Sequence, residues 1–127
     1  MIGIIEAPLN YFTAPGRAGK KSQELNRIYR AVINHLGADE KGVLGKSRTK
    51  EFTTPRMIYC YLAYLYTNIS LEKIGMYVNR DHSTVLASTK RIQGFVDIGK
   101  ESICQDINII CNKLNLYDYQ KIRIVQL

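Results

Sequence analysis

Between Pro55 and Thr67 the chain places an apolar or aromatic side chain at almost every position: Met57, Ile58, Cys60, Tyr61, Leu62, Ala63 and Leu65. Thr54-Pro55 supplies a start signal, a capping hydroxyl followed by a proline at the first helical position, where its missing N–H is not needed. The spacing therefore predicts a helix over about 55–67. A helix that is apolar on every face cannot lie at a surface, so other elements must wrap it. A chain of 127 residues is long enough to do so without disulfide or metal staples.

The wrapping elements can be read from periodicity. Leu25, Ile28, Tyr29, Val32, Ile33 and Leu36 recur at i, i+3, i+4, i+7, i+8 and i+11, an amphipathic helix capped by Ser22 and ended by Gly37. Asp39 caps a short turn of helix through Val43-Leu44, and Gly45 opens a basic loop, Lys46-Ser47-Arg48-Thr49-Lys50. Ser70 caps a short helix over 71–77, with Glu72 well placed in its first turn. After a tight connection at Val78-Asn79, Asp81 caps a helix running to about Phe95, with Val85, Ser88 or Thr89, Ile92 and Phe95 as its inner stripe. Gly94 and Gly99 suggest a break, and a last helix over about 100–115 puts Ile103, Ile107, Ile110, Cys111 and Leu114 on one face. The expected fold is one all-α bundle of about six helices over 22–115. Residues 1–21 read as a flexible basic arm, and 116–127 as a tail whose Ile122, Ile124 and Leu127 suggest an extended segment.

Charge narrows the function. The net charge is +7, and it is concentrated: residues 41–91 carry nine basic and three acidic side chains, while the two flanking stretches are nearly balanced. A localised basic excess suggests an anionic partner, nucleic acid before membrane. No apolar run approaches the ~20 residues of a membrane span. The opening residues lack the pattern of a secretory signal, so a cytoplasmic, nucleoid-associated protein is expected. Cys60, Cys104 and Cys111 read as buried thiols in a reducing compartment, and the widely separated His35 and His82 do not make a zinc site. Gly19-Lys20 fails as a phosphate loop, because Ala14 and Lys21 stand where a glycine and a hydroxyl are required. Carboxylates are scattered with no acid–base pair, and Cys60 reads as packing rather than as a nucleophile. Tyr59, Tyr61, Tyr64 and Tyr66 read as core rather than as a stacking platform for single-stranded bases. The chain is thus expected to be no enzyme and to use no cofactor, metal or small-molecule substrate.

The 71–77 and 81–95 segments form a helix-turn-helix candidate. Side chains at the front of a recognition helix reach base edges in the major groove. Here they are Asp81, His82, Ser83 and Thr84. Histidine can donate to a guanine or thymine acceptor, serine and threonine bond either way, and aspartate can accept from a cytosine amino group. The plainer reading is N-capping, which also wants Asp, Ser and Thr. The surrounding cations favour DNA: Arg80 before the cap, Lys90 and Arg91 after it, and Lys46, Arg48, Lys50 and Arg56 upstream.

Arg80-Asp81-His82-Ser83-Thr84-Val85-Leu86 resembles the signature of the C-terminal DNA-binding domain of the bacterial chromosomal replication initiators, the DnaA family. The resemblance runs from Leu25 to Leu114 and takes in Thr54-Pro55-Arg56, the apolar helix, Thr67-Asn68-Ile69-Ser70-Leu71 and Ile74-Gly75. It implies an all-α helix-turn-helix fold and a stand-alone reading domain without the nucleotide-hydrolysing module. It also implies that Asp81, His82, Ser83 and Thr84 read bases while Arg48 enters the adjacent minor groove. Lys46, Arg56, Thr67, Leu71 (through its amide) and Arg80 would hold the DNA backbone, with Lys90 and Arg91 adding phosphate contacts. The partner would be double-stranded DNA, bound by a monomer on an asymmetric site, in regulating replication initiation or transcription.

The sequence also departs from the family pattern. A single Asn79 stands where two glycines usually precede the signature arginine, which shortens the turn by one residue. Met57, Tyr64, Ala87-Ser88 and Glu51 are further departures. They leave open two other readings: a protein-interaction module that kept the fold but lost DNA, and a phage or mobile-element protein competing with a host initiator.

Overall fold

The computed structural model describes residues 19–116 together with Lys121, Arg123 and Val125. The expected N-terminal arm up to residue 18, and Ile122, Ile124 and Leu127 of the tail, lie outside the described residues. Six helices follow one another among those described: α1 (Gly19–Leu36), α2 (Glu40–Leu44), α3 (Lys50–Tyr66), α4 (Leu71–Met76), α5 (His82–Asp97) and α6 (Glu101–Leu114). No strand occurs among the described residues. The all-α expectation holds.

Helix α3 is the centre. It packs against α1, α2, α4 and α5, and α6 completes the bundle against α1 and α5. Ile58, Tyr59, Cys60, Leu62 and Ala63 are entirely buried, and Tyr61 and Leu65 nearly so, as a helix without a polar face requires. Each such aliphatic side chain contributes about 1.5–3 kcal/mol by leaving water. Polar atoms taken inside find partners: the Tyr59 hydroxyl donates to the Ile74 carbonyl at 3.0 Å, and the Tyr61 hydroxyl donates to Gln93 at 2.9 Å. Tyr29, Tyr59 and Tyr77 form an aromatic cluster with centroids 5.0–5.8 Å apart. Tyr59 and Tyr61 are therefore core, and burial pushes the Cys60 thiol up to about 12, which removes it as a nucleophile.

Two helix starts differ from expectation. α1 begins at Gly19, so Ser22 lies inside it rather than capping it, and the end of the supposed arm is helical. α3 begins at Lys50, not Pro55, because Thr49 takes the N-cap position and its carbonyl receives the Phe52 and Thr53 amides at 3.0 and 2.9 Å. Pro55 thus sits in the second turn, where the donor it lacks would have served the carbonyl of exposed Glu51. The basic loop is correspondingly shorter, Gly45 to Thr49. Gly94 is absorbed within α5, and the break comes at Gly99, whose φ is +71°.

Candidate nucleic-acid interface

The helix-turn-helix is formed by α4, the turn 77–81 and α5. Ser70 caps α4, its hydroxyl accepting from the Lys73 amide at 3.3 Å, and Asp81 caps α5, its carboxylate accepting from the Thr84 amide at 2.9 Å. That amide bond holds the Asp81 carboxyl below its usual range. The turn is compact. Val78 and Arg80 both donate their amides to the Gly75 carbonyl, at 3.0 and 2.8 Å. Asn79 adopts a φ of +59°, the left-handed conformation that asparagine tolerates better than most residues. Gly75 has to be glycine here: a Cβ would lie 2.2 Å from the Arg80 carbonyl oxygen. The short turn is thus closed by a left-handed Asn79, with the bare Cα of Gly75 set against the Arg80 carbonyl.

Helix α5 is divided cleanly. Val85, Thr89 and Ile92 are wholly buried and Ser88 nearly so. Asp81, His82, Ser83, Lys90 and Arg91 are exposed, and Thr84 is half-buried behind them. The base-reading candidates of α5 therefore stand together at its outward front. Lys46 and Arg48 are also exposed, on the loop between α2 and α3, and Leu71 opens α4.

Two of the expected DNA contacts, Thr67 and Arg56, have side chains engaged within the fold. Thr67 is 1% exposed; its hydroxyl donates to the Ala63 carbonyl at 2.7 Å and accepts from the Ile69 amide at 3.3 Å. Both bonds tie it into the end of α3 and the connection that follows. Arg56 is 6% exposed. Its Nε donates to the Val43 carbonyl at 2.8 Å, and its Nη2 is shared among the carbonyls of Gly42, Gly45 and Ser47 at 3.2–3.5 Å. A cation in the apolar run of α3 must find acceptors, and it finds them on the chain that leads into the basic loop. This side chain shapes that loop from beneath.

Arg80 reaches the same place from the other side. Its Nη1 donates to Val78 and Asn79 carbonyls at 3.2 and 3.0 Å, and its Nη2 donates to the Gly45 carbonyl. The Asn79 side-chain amide donates to the Leu44 carbonyl at 3.1 Å. The turn of the helix-turn-helix is thereby tied directly to the loop carrying Lys46 and Arg48. Neither arginine forms an ion pair with a carboxylate among the described residues. Burial, and then repulsion from Arg80, lower the Arg56 pKa. Two adjacent guanidiniums met only by neutral carbonyls make this junction electropositive. Sequence reading saw Arg56 and Arg80 as phosphate ligands and missed this tie, along with the Asn79 amide. The available signal was a lone cation within an apolar run.

Described residues contain no cluster of His, Cys, Asp or Glu that could hold a metal, and no helix long and apolar enough to cross a membrane. A short helix and a longer one joined by a tight turn, with an outward polar front and a cationic loop fixed beside it, define a helix-turn-helix DNA-binding domain. Residues 25–92 match the family model described as the bacterial dnaA protein helix-turn-helix, and the chain belongs to that family. It is 36% identical over 76 residues to the chromosomal replication initiator protein DnaA 2 of Chlamydia caviae. It is 32% identical over 96 residues to the chromosomal replication initiator protein DnaA of Bacteroides thetaiotaomicron, and 32% over 103 residues to that of Bacteroides fragilis. These matches take in 60%, 73% and 79% of the chain but only 16%, 20% and 22% of the relatives' own lengths. Family membership carries DNA binding with it, through a domain that is not itself catalytic.

Proposed function

We propose that this domain reads a specific duplex site by two coupled contacts, one in each groove. The front of α5 enters the major groove, where His82, Ser83 and Thr84 meet base edges and the remaining acceptor capacity of Asp81 faces a cytosine amino group. Arg48 enters the neighbouring minor groove, where narrow A·T-rich sequence concentrates negative potential. Lys46, Arg80, Lys90, Arg91 and the amide of Leu71 hold phosphates, which fixes register without reading sequence. One reading helix beside one minor-groove loop gives an asymmetric footprint suited to a monomer. Occupying such boxes would regulate replication initiation or transcription.

The observation that carries this reading is the tie between the two readers: Arg80 and Asn79 of the turn bond the carbonyls of Gly45 and Leu44, where the Arg48 loop begins. Selection of bound duplexes from a random pool tests it. The expected result is convergence on one short motif with an A·T-rich segment on one side. A pool that remains random after repeated rounds contradicts it.

A further inference from the structure

Beyond the stretch that matches the family, the chain returns to the end of α3 and the connection that enters the helix-turn-helix. The Arg123 amide donates to the Leu65 carbonyl at 3.4 Å. Its side chain makes three further bonds: Nε to the Tyr64 carbonyl at 2.8 Å, and Nη2 to the carbonyls of Thr67 and Ile69 at 3.1 and 2.7 Å. The guanidinium also lies over the Tyr64 ring, 4.4 Å from its centroid. Those acceptors are the last turn of α3 and the connection that leads to Ser70, the cap of α4. A helix C-terminus leaves carbonyls without intrahelical donors, and a cation there is favoured by the helix dipole as well. Val125, two residues on, packs against the core.

We propose that Arg123 is a positioning residue for DNA binding: it fixes the α3–α4 connection, and through it the placement of α4 under the recognition helix. The inference rests on the duplex-reading function above. α4 has only six residues, too few for a helix to be stable alone, so its placement depends on what it packs against and on the connection that enters it. The planar fork of arginine spans the three carbonyls, a geometry that a lysine ammonium does not reproduce.

The test uses the full chain with Arg123→Ala and Arg123→Lys. Affinity for a selected duplex is measured over a range of salt, and amide exchange is followed at Ile69 and Lys73, whose amides bond the Thr67 and Ser70 hydroxyls. Arg123→Ala is expected to weaken binding on the order of tenfold, a size found for residues that act on a site without touching its ligand. Exchange at Ile69 and Lys73 should quicken, the slope of log affinity against log salt should stay unchanged, and lysine should not restore binding. Unchanged affinity in Arg123→Ala, even in a less stable protein, overturns the proposal. So does full rescue by lysine, or a slope reduced by about 0.9, which would make Arg123 a direct phosphate ligand. A wild-type chain that binds no duplex contradicts the DNA reading instead, while the exchange data still report on the tether.

Discussion

The Nε of Arg56 donates to the Val43 carbonyl at 2.8 Å, so a cation from the central helix is anchored in the backbone of α2. Arg80 reaches the Gly45 carbonyl two residues further on, from the opposite side. Arginine side chains from α3 and from the turn thus grip one short stretch of backbone. The spacing between the Arg48 loop and the front of α5 is set by side chain-to-backbone bonds and does not depend on a flexible linker.

Replacing Arg56 with methionine keeps most of the packing volume but takes the charged donor from four carbonyls, of which Gly45 keeps Arg80 and Gly42 keeps the Gly45 amide. Hydrogen bonds to a charged group contribute about 1.5–3 kcal/mol each at best, and here one nitrogen is shared among three acceptors. Arg56→Met is expected to lower stability by about 2–3 kcal/mol in urea unfolding. It should also reduce discrimination at the A·T-rich flank more than discrimination at the bases under His82. Equal losses at both would show that the loop is not the part affected.

Gly75→Ala drives a methyl into the Arg80 carbonyl, which is backbone and cannot swing away. Overpacking of this kind costs about 1–3 kcal/mol, and the turn must open to relieve it. Thermal unfolding should show the loss, and affinity for the selected duplex should fall with it. Wild-type stability in this variant would mean that the turn is looser than described.

His82→Ala removes an exposed side chain that nothing in the fold requires. Stability should stay within about 0.5 kcal/mol. Binding to the selected duplex should weaken by about 1–3 kcal/mol, with binding to random duplex nearly unchanged. Equal losses on both duplexes would remove the base-reading role.

The Asp81 cap makes a pH prediction. Its carboxyl is held below the usual range in the folded protein by the Thr84 amide. A depressed folded pKa gives stability that is complete above the unfolded pKa and is lost as pH falls through the folded one. Asp81→Asn keeps a capping oxygen and should flatten this acid limb in a pH series of unfolding midpoints. An unaltered acid limb would place the titration elsewhere.

Much of the fold was legible because local chemistry and tertiary role agree. The all-apolar run of α3, the stripe of α1 and the caps Ser70 and Asp81 each point one way, and the structure follows them. The exposed front of α5 was legible for the same reason: the residues opposite it are needed inside. The start of α3 was misread because Thr54-Pro55 is a strong local signal, yet Thr49 caps the helix from further upstream. The roles of Arg56, Thr67 and Arg123 were hidden because their partners are backbone carbonyls. Such acceptors leave no mark in a sequence, and those of Arg123 lie more than fifty residues away. Arg80 was half legible: its basic character showed, but its bond to Gly45 did not.

The most direct test of the two-groove reading is a double-mutant cycle measured by equilibrium binding to the selected duplex, with His82→Ala, Arg48→Ala and the double variant titrated at several salt concentrations. Contacts held on one rigid unit engage together. The account therefore predicts that each single change weakens binding, that Arg48→Ala lowers the salt slope by about 0.9 while His82→Ala leaves it alone, and that the two losses are not additive. Single variants that bind like the wild type, or an affinity that does not respond to salt, would contradict it.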